Sequence, residues 1–176
     1  MTMEHSSLEE VQESLRGLVD QIAHQLTKRK ATLMVAESAT GGLIQHLLTQ
    51  ISGSSAFYYG GVVAYATELK YRFLQVPEST LRKHGSVSQE TVAAMANGIR
   101  LWLNTDYGLA SSGIAGPTGE TARKPVGLVI VSVSHHSFET VTREHKFKGS
   151  RSDNKYYFSY AALQLLLDCI LQENSV

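Results

Sequence analysis

A single cysteine, Cys169, leaves no partner for an internal disulfide in a chain of 176 residues. The disulfide framework of a small secreted domain is therefore excluded. Charge of one sign is also lacking, because 16 Lys and Arg residues balance 16 Asp and Glu residues. Such a chain has no overall field to hold nucleic acid or an anionic membrane, so any anionic ligand must be held locally. No apolar run approaches the ~18 residues of a membrane span. Glu4, Glu9, Glu10 and Glu13 stand where a signal peptide would need its apolar core, so a cytoplasmic protein with no membrane partner is expected. The seven histidines form no H-E-x-x-H pattern, and neither a metal site nor a cofactor is expected. His135 and His136, being adjacent in a strand end, are expected on opposite sides of it. Gly119 is followed by Glu120-Thr121 where a phosphate loop needs Lys and then Ser or Thr, which excludes an ATPase of that type. The G-x-S-x-G elbow and the G-x-G-x-x-G fingerprint are absent as well.

What is present is a 43% hydrophobic chain long enough for one ordinary core. Residues 1–7 read as a loose tail and 8–176 as a single domain. Leu8, Val11, Leu15, Leu18, Ile22 and Leu26 trace an amphipathic helix ending in basic residues. Thr32 to Ala36 reads as a strand, and the stretch Glu37-Ser38-Ala39-Thr40-Gly41-Gly42 turns it into a helix over 42–51. Thr40 is the expected N-cap, and the bare backbone of Gly41 and Gly42 is expected to offer N–H groups to an anion. Strands are further expected over 57–66, 107–111, 126–133 and, as a charged edge, 138–147. Short helices follow Thr67, a longer one follows the cap Ser88, and a last one carries Phe158, Leu165 and Cys169. That order argues for a mixed α/β sheet with helices on both faces.

Hydroxyl groups on glycine-rich turns (Ser38, Thr40, Ser54, Ser55, Ser111 and Ser112) stand out, together with Tyr65, Lys70, Arg123, Lys124 and Arg151. A serine is a weak nucleophile until a base takes its proton, and with no His-Asp pair in view the available base is a lysine. A lysine can serve at neutral pH only if it is desolvated or placed beside another cation, a condition that Arg151 close to Lys70 would meet. The loop Ser112-Gly113-Ile114-Ala115-Gly116-Pro117 is a second place where backbone could meet a ligand.

Seven blocks in order resemble the CinA carboxy-terminal domain family: Ala36–Gly42, Gly53-Ser54-Ser55-Ala56-Phe57, Gly61–Tyr65 with Lys70 behind it, His84–Ser88, Ser112–Pro117, Lys124–Gly127 and Phe147–Arg151. The resemblance implies a three-layer α/β/α sandwich with a mixed sheet. It also implies an amidohydrolase of pyridine nucleotide recycling, which deamidates nicotinamide mononucleotide to nicotinic acid mononucleotide and ammonia. The family's active-site positions fall on Ser38, Ser55, Tyr65, Lys70, Ser112 and Arg151. Ser55 is then the first choice of nucleophile with Lys70 as its base, and Ser38 is the second choice, otherwise orienting or donating hydrogen bonds with Tyr65. Thr40, Gly41, Gly42, Ser112, Gly113 and Arg151 would bind the substrate, with its phosphate at the helix start after Thr40 or on Arg151. Members tend to assemble, which implies a homodimer or higher homo-oligomer. Relatives commonly have an acidic residue and paired glycines where this chain has Thr118-Gly119-Glu120, and some members lack the activity. The alternative is thus a catalytically inactive nucleotide-binding or interaction domain.

Overall fold

The computed structural model describes residues 8–172, so the expected tail over 1–7 and the last four residues of the expected domain lie outside it. In chain order the elements are α1 (Leu8–Arg29), β1 (Leu33–Glu37), α2 (Leu43–Thr49), a 3-10 turn (Ser54–Ala56), β2 (Tyr58–Val63), α3 (Thr67–Leu74) and α4 (Glu78–His84). Then follow α5 (Gln89–Trp102), β3 (Tyr107–Gly113), β4 (Leu128–His135), β5 (Val141–Lys146) and α6 (Arg151–Gln172). The five strands form one sheet in the order β2-β1-β3-β4-β5. β1 runs parallel to β2 and to β3, whereas β3, β4 and β5 are successively antiparallel.

The central strands are buried throughout save for Gly113 at the end of β3, as expected of strands covered by helices on both faces. Alternate residues feed two cores. Leu33, Val35, Leu109, Val129 and Val131 meet the apolar faces of α1, α2 and α6, whereas Met34, Ala36, Ala110 and Ile130 meet α3 and α5. The result is a three-layer α/β/α sandwich. Ser88 caps α5 as its sequence suggests, its Oγ accepting the Thr91 N–H at 3.2 Å. The adjacent histidines depart from expectation, for their rings lie 4.1 Å apart. The chain leaves the strand at His135, where its Nδ1 accepts the Ser137 N–H, so strand alternation no longer sets the direction of His136.

The parallel half of the sheet determines where chemistry can gather. Strands β1, β2 and β3 all point their carboxyl ends the same way, so Ser38 after β1, Tyr65 after β2 and Ser112 near the end of β3 lie on one edge of the sheet. Ser55 precedes β2 and falls at the opposite edge.

Candidate active site

Ser38, Tyr65, Lys70, Ser112, Gly113 and Arg151 line one cavity of about 250 Å³ at that edge, together with Ala39, Ser86, Val87, Ile114, Ala115, Thr118 and Gly119. Lys70 forms its floor. The side chain enters from the first turn of α3 and is buried, with 1% of its surface exposed. Its Nζ donates to Ser38 Oγ at 3.0 Å and to the Ala64 carbonyl at 2.6 Å. Those two acceptors hold the amine in place. Burial pushes its pKa down from 10.5 to about 8. The expected depression by Arg151 is therefore corrected: desolvation is the cause, and Arg151 is engaged elsewhere.

Arg151, at the start of α6, donates to the Gly116 carbonyl at 2.8 Å and to Tyr65 Oη at 2.8 Å. A guanidinium has five N–H donors, so these two bonds leave three for a ligand. Tyr65 accepts from Arg151, which leaves its own O–H to donate into the cavity. The Ser112 proton is already engaged, its hydroxyl donating to the Ser86 carbonyl at 3.0 Å and tying β3 to the segment after α4. No carboxylate lines the cavity, whereas an amine and a guanidinium do. Such a lining favours an anionic ligand.

Three expectations are corrected here. The first concerns Ser55, which is exposed on the 3-10 turn before β2. The strand separating it from Tyr65 is roughly 17 Å long at the usual rise, so the structure does not bring it to Lys70 within one chain. The second concerns Thr40, which does not cap α2. It is wholly buried, and its hydroxyl is bonded to Ser111 Oγ at 3.0 Å. The third concerns the backbone around Gly41 and Gly42 as an anion site. The N–H groups of Gly42, Ile44 and Gln45 already donate to the Glu37 carboxylate, at 2.9, 3.3 and 2.9 Å. With the Gly41 N–H bonded to the Ser38 carbonyl, the backbone at these two glycines has no donor left for a phosphate.

In the sequence, Ser86 and Val87 stand only within a motif, and Gly85 before them reads as a helix stop. The site role of that segment is set by the β3 contact, which no local pattern reveals. Glu37 reads simply as part of the turn. Its place at the last position of a buried strand is nevertheless a usable signal, because a wholly buried carboxylate needs donors. The altered loop places Thr118 and Gly119 on the cavity wall, whereas Glu120 is exposed and does not line it.

A mixed α/β/α sandwich in which a buried lysine meets a serine at the carboxyl edge of its parallel strands is the class that fold and site define. Residues 15–170 match the CinA C-terminal domain family, and the chain belongs to that family. It is 49% identical over 155 residues to a CinA-like protein of Syntrophus aciditrophicus, covering 88% of this chain and 36% of that protein. A CinA-like protein of Salinibacter ruber is 50% identical over 139 residues, with coverage of 79% and 34%. The chain thus spans about a third of the length of the curated relatives it matches. Among solved structures, a CinA superfamily protein from Klebsiella pneumoniae superimposes with a TM-score of 0.86 at 30% identity, covering 90% of this chain and 98% of that one. A competence/damage inducible protein from Agrobacterium tumefaciens gives 0.85 at 34% identity, with coverage of 88% and 94%.

Proposed function

We propose that this chain hydrolyses the carboxamide of nicotinamide mononucleotide, giving nicotinic acid mononucleotide and ammonia, with Ser38 as nucleophile and Lys70 as its base. The contact of 3.0 Å between Lys70 Nζ and Ser38 Oγ, buried at the floor of a cavity that no carboxylate lines, carries this reading. A buried amine with a pKa of about 8 is neutral in about one molecule in ten at pH 7, enough to take a serine proton. Ser38 Oγ forms a bond to the carboxamide carbon as its proton passes to Lys70 Nζ. Lys70 then returns that proton to the amide nitrogen as the C–N bond breaks and ammonia leaves. Water, deprotonated by the same amine, cleaves the resulting ester and regenerates Ser38. Tyr65 Oη supplies a hydrogen bond to the oxyanion, and Arg151 takes the phosphate.

Ammonia release from nicotinamide mononucleotide by the purified protein, with nicotinamide as comparison, tests the reading. Release is expected from the nucleotide and not from the free base. Lys70→Ala and Ser38→Ala are each expected to lower kcat by about 10³-fold or more, whereas Ser55→Ala should stay within about threefold. No release from folded wild-type protein would overturn the reading. Loss in Ser55→Ala with retention in Ser38→Ala would move the nucleophile to Ser55.

A further inference from the structure

The Ser38–Gly41 turn has a second cation on its other side. Gly41 has a left-handed backbone (φ +62°) and no side chain, and a Cβ built there would lie 3.6 Å from Lys155 Nζ. The ammonium therefore rests over the bare Cα of Gly41, one turn of chain from the serine that meets Lys70. Lys155 is half-buried on α6. It follows Arg151 by four residues, which places the two cations on one face of the helix, with Cβ atoms about 6 Å apart. No carboxylate pairs with Lys155 among the described residues, in contrast to Arg16, Arg72, Arg82 and Arg143, which each have one. A half-buried ammonium on the same helix face as a guanidinium with donors to spare, just outside the lining of the cavity, is suited to an oxyanion of more than one charge that projects from it.

We infer that Lys155 and Arg151 together receive the phosphate of the substrate, so that the site selects phosphomonoesters over their uncharged counterparts. Lys155 is thus a specificity-determining residue that touches only the phosphate. The assignment rests on the proposed function solely for the identity of the phosphate-bearing ligand. A competing role exists in the same place. The Glu37 carboxylate is bonded to Gly42, the next residue, and Lys155 could act only as its counter-charge. The two roles differ in what they change: a counter-charge affects stability, whereas a phosphate ligand affects affinity.

The experiment uses the full chain and ribose 5-phosphate as probe, with ribose as its uncharged comparison, and reads Kd and Tm for wild type, Lys155→Ala and Lys155→Arg. Ribose 5-phosphate is expected to bind wild type more tightly than ribose does. Its affinity should fall about tenfold in Lys155→Ala and return in Lys155→Arg, with ribose binding unchanged. Wild-type affinity in Lys155→Ala, whether or not its Tm falls, would overturn the assignment. So would a wild type that does not prefer the phosphate ester. If the phosphate result stands and nicotinamide mononucleotide is not hydrolysed, the amidohydrolase reading fails and the Lys155 assignment survives.

Discussion

Lys70 has two consequences that pH can separate. As a base it acts only when neutral, so kcat/KM is expected to rise with pH through an apparent pKa near 8 and then level off. A profile flat from pH 6 to 10 would remove Lys70 from the rate-limiting chemistry. As a buried group it also weakens the fold. Its pKa is near 8 when folded and about 10.4 when unfolded, so between those values the unfolded chain holds the extra proton and stability rises with pH. Below pH 8 the penalty is present in full. Lys70→Met is therefore expected to gain most over wild type at pH 6–7 and to lose that advantage steadily towards pH 10.5, as paired thermal melts would show. A difference independent of pH would mean that the amine is not desolvated. The sequence points to Lys70 as the only type of base available, but not to the cause of its low pKa. Burial of α3 against α5 is a tertiary fact, and no pattern around Thr67-Glu68-Leu69-Lys70 announces it.

Among the elements, α2 shows how the turn that carries Ser38 is held rigid. A seven-residue helix is too short to be stable by itself, and its cap residue Gly42 brings no side chain to its orphan N–H groups. Glu37 supplies the missing acceptor from the end of β1, so strand, turn and helix are tied across the very residues that carry Ser38. Its partner Gln45 also accepts from Tyr58 Oη at 2.9 Å, extending the tie to β2, and burial together with Glu37 pushes that phenol's pKa up. Glu37→Ala leaves one buried and two part-buried N–H groups without an acceptor, and a loss of about 2 kcal/mol is expected by chemical denaturation. Glu37→Gln should lose less, since its amide oxygen can keep the Gly42 and Ile44 N–H groups while its NH2 faces only that of Gln45. A change below about 0.5 kcal/mol in Glu37→Ala would show that water replaces the carboxylate. The elements themselves are readable from apolar periodicity, from the strand at Leu33 to the helix at Arg151. The cap is not, because Thr40 has the residue type of an N-cap while its side chain faces Ser111 in the next strand. The separation of Ser55 from Lys70 is readable in principle from topology: in a parallel pair, residues before one strand and after the other lie at opposite edges, and Ser55 and Ser38 are such residues.

At the scale of the whole molecule, the position of Lys70 depends on how closely α3 approaches α5, and one glycine sets that distance. Gly98 lies in the interior of α5, where helix propensity alone predicts that alanine would stabilise by about 1 kcal/mol. A Cβ at Gly98 would collide with the Leu74 carbonyl oxygen at the end of α3. Backbone cannot yield as a flexible side chain does, so α3 must shift and carry Lys70 with it. Gly17 in α1 provides the control, for a Cβ there meets nothing within 4 Å. Gly17→Ala is thus expected to raise Tm by a few degrees with turnover unchanged. Gly98→Ala should lower Tm by at least about 5 °C and reduce turnover, because the contact between Lys70 and Ser38 spans the interface that it forces apart. Thermal melts and ammonia release on the two variants check this directly. If Gly98→Ala were stabilised like Gly17→Ala, helix propensity would outweigh the clash with Leu74, and the α3–α5 approach would have no part in placing the base.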